Sequence, residues 1–176
     1  MKIYFDGDSW TKGVDLDDES HRFSTIVSNK LGSEEYNISK KGKSNNRIVR
    51  HLLLDNDISQ YDLAIIQMTF PNRMEYYNKK WRSISIGKSV NSEFWKQYYK
   101  EIYNDTYGST YEEIFAMSIR NHCKVNGVDL LLITNNIETD VKFDLQLQLS
   151  RYPHGDGSHP SREGHRLIAD DLLRLI

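Results

Sequence analysis

The sequence predicts an α/β fold built on a parallel sheet covered on both faces. Leu63 to Met68 and Val128 to Thr134 are short apolar runs, as strands buried on two sides require. Helical periodicities separate such runs. Strand and helix patterns then alternate along the chain, which favours crossover connections and a parallel sheet.

The elements follow in order. Lys2 to Asp6 reads as a short strand closed by a turn at Gly7. Glu35 to Ser39 reads as a second, weaker strand. Ser44, Asn45 and Asn46 can cap a helix in which Ile48, Val49, Leu52 and Leu53 recur at helical spacing. After the Leu63–Met68 strand, Tyr111 to Val125 is helical, with Ile114, Phe115, Ser118 and Ile119 on one side and Asn126-Gly127 as its stop. Val141, Phe143, Leu145, Leu147 and Leu149 alternate with other residues, the period of a half-buried edge strand. A last helix begins at Pro160 and buries Leu167, Ile168, Leu172 and Leu173.

The stretch from Asn72 to Gly108 stands apart. It carries Tyr76, Tyr77, Trp81, Phe94, Trp95, Tyr98, Tyr99, Tyr103 and Tyr107 among polar residues, with a helix expected over about 92–104. It reads as an aromatic-rich insertion after the third strand, beside or over the carboxyl end of the sheet. Two roles are open to it: a helical excursion packed on the body, or a platform, since aromatic faces stack on sugar rings and other flat groups.

Composition narrows the class. The chain has 176 residues, enough for one domain with a sizeable core, and residues 1–176 are read as a single domain. The formal net charge is -2 with scattered basic residues, which argues against nucleic acid as a partner. The single cysteine, Cys123, cannot form an internal disulfide and is expected as a small buried hydrophobe. No apolar stretch approaches the roughly 18 residues of a membrane span, so no membrane partner is expected. Met1-Lys2-Ile3-Tyr4-Phe5-Asp6 meets acid too soon for a signal peptide, and a cytoplasmic location is expected.

Two motifs carry chemistry. Gly7-Asp8-Ser9 follows the first strand, and Asp156-Gly157-Ser158-His159-Pro160 lies near the C-terminus. A serine hydroxyl is a poor nucleophile until a base takes its proton. His159 can be that base, because imidazole titrates nearest to working pH. Asp156, three residues earlier, can hold the ring in the required tautomer. Taken alone, Ser9 is an ordinary turn residue and Asp156-x-x-His159 an ordinary helix-entry cap. Together, at opposite ends of an α/β chain, they point to an activated serine.

These blocks make the chain resemble the SGNH (GDSL-type) serine hydrolases and esterases. Gly7-Asp8-Ser9 matches the first block, Asp156 to Pro160 the last, and Gly164-His165 continues the usual ending. The resemblance implies a flavodoxin-like three-layer α/β/α sandwich with about five parallel strands. It implies Ser9 as nucleophile, His159 as base, Asp156 as its orienter, and no metal or organic cofactor. Oxyanion donors are expected from Ser9 and from Gly42, which stands where the second block has its glycine. The third block, normally G-x-N-D, reads here Gln67-Met68-Thr69-Phe70-Pro71-Asn72-Arg73. Asn72, on a shifted backbone, and Thr69, through its hydroxyl, are the candidates for that donor; Arg73 can add charge stabilisation there, with a surface or structural salt bridge as the favoured reading.

The implied activity is hydrolysis of a small carboxylic ester through an acyl-enzyme, with O-deacetylation of a saccharide as the sharper expectation. The alternative is a catalytically weak or inactive binding module of the same fold, recognising a glycan or a protein. A third reading takes His154, Asp156, His159 and His165 as metal ligands, but it explains neither Gly7-Asp8-Ser9 nor Gly42. Oligomeric state is not legible.

Overall fold

The computed structural model describes residues 1–84, 92–155 and 157–176. Its strands are β1 (Lys2–Asp6), β2 (Glu34–Asn37), β3 (Leu63–Met68), β4 (Met74–Asn78), β5 (Lys80–Ile84), β6 (Asp129–Thr134) and β7 (Leu145–Gln146). Five of them form one parallel sheet in the order β2-β1-β3-β6-β7, while β4 and β5 pair as an antiparallel hairpin. Within the sheet the chain steps outward from β1 to β2, then crosses back to β3 on the other side. The β1/β3 boundary is therefore the point where strand order reverses, and the crevice above its carboxyl ends is where such sheets bind ligands.

The helices are α1 (Ser9–Lys12), α2 (Phe23–Leu31), α3 (Asn45–Arg50), α4 (Glu93–Glu101), α5 (Asp105–Val125) and α6 (Arg162–Leu173). Strand side chains alternate between two layers. Ile3, Phe5, Leu63, Ile65, Leu131 and Ile133 pack against Phe23 and Val27 of α2 and Ile168 and Leu172 of α6. On the other face, Tyr4, Ala64, Ile66, Met68 and Leu132 meet Ile48 of α3 and Ala116, Ile119 and Cys123 of α5. The result is a three-layer α/β/α sandwich. Each residue of β3 is buried, because the strand has neighbours on both edges and helices over both faces.

Several elements differ from their sequence-based expectation. The alternation over 141–149 does not form a continuous edge strand, since only Leu145–Gln146 joins the ladder. The Asp144 carboxylate accepts the Leu132 N–H at 2.7 Å while the Asp144 N–H returns to the Leu132 carbonyl at 2.9 Å, replacing regular pairing there. Val141 and Phe143 consequently serve one layer, Leu145 and Leu147 the other. Helix α5 starts at Asp105, capped by the Asn104 side chain, and buries Gly108, Glu112, Ala116, Ile119 and Cys123, whereas Ile114 faces solvent. Pro160 lies outside α6, whose N-cap is Ser161. Helix α2, absent from the sequence-based expectation, buries Phe23 and Val27 and packs Ile26 and Leu31 beside them, an apolar stripe at helical spacing. The helix expected over 92–104 is α4, and the β4–β5 hairpin before it has no counterpart in the sequence-based expectation. Residues 85–91 and Asp156 lie outside the described residues.

Candidate active site

The site grows from the end of β1. Gly7 sits where the chain leaves the sheet, so close to β3 that an added Cβ would stand 2.8 Å from the Gln67 Cβ and collide with Thr11. Only glycine permits that approach. Asp8 then caps α1, accepting the Trp10 N–H at 2.9 Å, which puts Ser9 at the first helical position. Gly13, at φ 71°, ends the helix after a single turn. Ser9 is buried at 6% exposure, beside the strand-order reversal.

Asp8 is the hub beneath the serine. One carboxylate oxygen takes the Trp10 N–H and the Gln67 amide at 3.0 Å. The other takes the Thr69 hydroxyl at 2.9 Å, the Arg73 guanidinium at 2.7 Å and the Asn135 amide at 3.4 Å. Gln67 returns through its oxygen to the Thr11 N–H at 3.1 Å and the Thr11 hydroxyl at 2.5 Å. The serine turn is thus tied to the ends of β3 and β6 by side chains rather than by a ladder. Arg73 is in the salt bridge expected of it. A second buried pair, Asp6 with Arg47, anchors the end of β1 to α3, and burial pushes the Asp6 carboxyl up to about 6 against the pull of Arg47.

The C-terminal loop reaches this turn from the other side. His159 Nδ1 lies 2.5 Å from a carboxylate oxygen of Asp15, two residues beyond Gly13. Trp10 meets the His154 ring edge-on at 5.8 Å between centroids, and Arg162 pairs with Asp17. The loop carrying His159 and the turn carrying Ser9 are therefore neighbours. Nothing in the local sequence announces Asp15, because its partner is 144 residues away. His154 Nε2 lies 3.0 Å from the Leu149 carbonyl, and His165 is buried with its Nδ1 accepting the Phe23 N–H at 3.3 Å. These histidines face separate partners, and no group of three metal-ligating side chains occurs among the described residues.

The expected oxyanion donors divide. Gly42 takes a left-handed conformation at φ 67° in the loop between β2 and α3, and Lys40 of that loop donates to the Gly7 carbonyl at 3.2 Å. Thr69 departs from its expected role. A hydroxyl has one proton, and that of Thr69 goes to Asp8. Its backbone is clamped by Asn45, whose amide donates to the Thr69 carbonyl and whose oxygen accepts the Thr69 N–H, both at 2.8 Å. Asn45, expected only as a helix cap, is thus the bond between α3 and the end of β3. Asn72 is half-buried at the wall of a cleft of about 460 Å³ that Phe70, Tyr103, Glu112, Asn136 and Glu138 also line. Burial raises the Glu112 carboxyl, while Asn136 and Thr139 hold it from the other side by hydrogen bonds.

The aromatic residues of 72–111 form a file of rings. Trp95 meets Tyr76 at 4.9 Å and Tyr98 at 5.8 Å, and contacts continue through Tyr99, Tyr103 and Tyr107 to Tyr111. The Tyr99 hydroxyl donates to the Asn72 carbonyl at 2.7 Å, joining α4 to the third block. Arg50 lies 4.4 Å over the ring of Trp81, which is half exposed.

No family model matches the sequence, and no curated protein matches it. Solved structures do. The crystal structure of TesA aligns with a TM-score of 0.63 at 12% identity, covering 99% of this chain and 97% of that one. The acetyl xylan esterase AlAXEase aligns with a TM-score of 0.60 at 14% identity over the whole of both chains. A lipolytic protein of the G-D-S-L family from Veillonella parvula aligns at 0.55 and 14%, covering 99% and 97%. The chain has the fold of the GDSL-type (SGNH) hydrolases. No helix among the described residues is long and apolar enough to cross a membrane.

Proposed function

We propose that the protein is a serine esterase that hydrolyses a small carboxylic ester through an acyl-enzyme. The observation that supports this is the Gly7-Asp8-Ser9 turn at the strand-order reversal, continued by Asp15, whose carboxylate lies 2.5 Å from Nδ1 of His159. A ring nitrogen that donates its proton to a carboxylate leaves the other nitrogen, Nε2, as the acceptor.

In this reading Ser9 Oγ attacks the ester carbonyl as His159 Nε2 takes its proton. The tetrahedral oxyanion is received by the N–H groups of Ser9 and Gly42 and by the Asn72 amide. Collapse expels the alcohol, which leaves with the proton from His159. Water then attacks the acyl-enzyme with the same base, returning Ser9. Thr69 serves by holding Asp8 and not by donating to the oxyanion. One missing oxyanion donor costs about 10²–10³ in turnover, so the altered third block bears on rate and substrate and leaves the reaction class intact.

The substrate proposed is an O-acetylated saccharide. The file of aromatic rings beside Asn72 supports it, as does the likeness to an acetyl xylan esterase. The test is hydrolysis of p-nitrophenyl acetate, longer acyl esters and acetylated xylan by wild type, Ser9→Ala and His159→Ala. Turnover of the acetyl esters should fall by about 10³-fold or more in both variants. Equal turnover in all three proteins defeats the esterase, and a preference for long acyl chains defeats the acetyl assignment alone.

A further inference from the structure

We propose that the cleft between the third-block loop and the start of α5 holds the saccharide part of the ester, and that it accepts an uncharged ring and rejects an anionic one. The inference rests on the esterase reading for the place of the ester bond, whereas sugar binding itself is measurable without turnover.

The cleft has a volume of about 460 Å³, within the range of about 300–1,000 Å³ of small-ligand sites. Three segments enclose it: 70–72 after β3, 136–138 after β6, and the entry into α5 from 103 to 112. The first two adjoin the serine turn, because the Thr69 hydroxyl and the Asn135 amide both donate to the Asp8 carboxylate. An ester held at Ser9 can therefore rest its alcohol portion here. The walls are fixed from behind. The Tyr103 phenol lies against Gly108 of α5, so closely that an added Cβ would stand 2.3 Å from its oxygen and 3.4 Å from the Pro71 Cβ. Glycine inside a helix costs about 1 kcal/mol relative to alanine, and here it lets the ring and the third-block loop close on the helix. The Tyr99 hydroxyl holds the Asn72 carbonyl at 2.7 Å. Glu112, only 1% exposed, accepts the Thr139 hydroxyl at 2.7 Å and the Asn136 amide at 3.2 Å.

These bonds decide what the cleft can recognise. With its amide given to Glu112, Asn136 keeps its carbonyl oxygen as an acceptor, and Glu138 adds a carboxylate. Phe70 and Tyr103 supply aromatic surface for the apolar face of a ring. A sugar has both halves of this match: hydroxyl donors at its rim and C–H groups on its faces. Charge sets the limit. Asp105, Glu112 and Glu138 line the cleft, and no lysine or arginine does so among the described residues. Arg73, the cation of the third-block loop, is paired with Asp8. A carboxylate, sulfate or phosphate on the sugar meets like charge here and no counter-ion.

The test measures binding of unacetylated xylohexaose and of an oligogalacturonate of equal length by calorimetry. The proteins are wild type, Tyr103→Ala, Tyr103→Phe and Glu138→Lys, each checked for fold by circular dichroism. Wild type should bind the neutral chain and not the uronate. Tyr103→Ala should weaken the neutral chain about tenfold, whereas Tyr103→Phe, which keeps the ring, should stay within about twofold of wild type. Glu138→Lys should raise affinity for the uronate about tenfold or more. In turnover, the ratio of kcat/KM for acetylated xylo-oligosaccharide to that for p-nitrophenyl acetate should fall about tenfold in Tyr103→Ala. Equal binding of the two chains by wild type overturns the proposal, as does neutral binding that is the same in Tyr103→Ala or lost in Tyr103→Phe. If Ser9→Ala shows that there is no esterase, the binding comparison alone decides: a Tyr103-dependent preference for the neutral chain supports the sugar site, and its absence refutes it.

Discussion

Replacing Asp8 by asparagine should destabilise the protein by about 3 kcal/mol, although the change is nearly isosteric. The carboxylate offers acceptors only, and each neighbour is a donor: the Trp10 N–H, the Gln67 and Asn135 amides, the Thr69 hydroxyl and the Arg73 guanidinium. An amide at position 8 retains one oxygen. In the less costly orientation it keeps the helix cap and Gln67, and turns its NH₂ toward Thr69, Arg73 and Asn135. Thr69 can rotate to accept, but Arg73 cannot. A charge-assisted bond of about 1.5–3 kcal/mol is lost, and a guanidinium with only 19% of its side chain exposed is left without its counter-charge. For a chain of this size about 3 kcal/mol lowers Tm by about 6–12 °C. Thermal and urea unfolding followed by circular dichroism measure it. Arg73→Met in the same cycle should be cheaper in the Asp8→Asn background than in wild type, by about 1 kcal/mol or more. A Tm within about 2 °C of wild type, or additive single variants, would refute the view that Asp8 holds the serine turn through these donors.

Gly164→Ala should cost about 1–3 kcal/mol by overpacking, measured by urea unfolding. Its Cβ would collide with the Pro153 carbonyl oxygen, which cannot retreat because it accepts both the Ser161 N–H and the Ser161 hydroxyl. His165 has its pKa pushed down to about 4 by burial, with Arg22 adding to the effect. Between about pH 4 and 6.5 the unfolded chain therefore binds a proton that the folded one does not, so this stabilisation is complete above pH 6.5 and is lost as pH falls toward 4. The contribution is about 3 kcal/mol. His165→Asn should flatten that part of the stability–pH curve, and an unchanged slope counts against it. The Cys123 thiol is buried and raised to about 11, so it should react with a thiol reagent only after unfolding; rapid labelling of the native protein would contradict that.

The apolar strands and the Gly7-Asp8-Ser9 turn are legible because their signals are local. Leu63–Met68 is apolar over nearly its whole length since both faces are covered, and Gly7 and Asp8 each answer a requirement of their own turn. The buried face of α5 differs from the apolar pattern because it runs through Glu112, a carboxylate whose acceptors are filled by the Asn136 amide and the Thr139 hydroxyl from beyond β6. The hairpin β4–β5 carries no clear sequence signal because its residues are largely exposed and do not show a strong apolar alternation.

By itself, the sequence determined the class of fold, the place of the serine at the end of the first strand, and a histidine brought back by a C-terminal helix. These depend on hydrophobic period and on turn chemistry, which act within a few residues. Tertiary structure alone decided which side chains meet: Asp15 with His159, Thr69 with Asp8, Asn45 with the backbone of residue 69. Each is a hydrogen bond between groups distant in sequence, and a donor or acceptor carries no mark of its partner until packing puts the two within 3 Å.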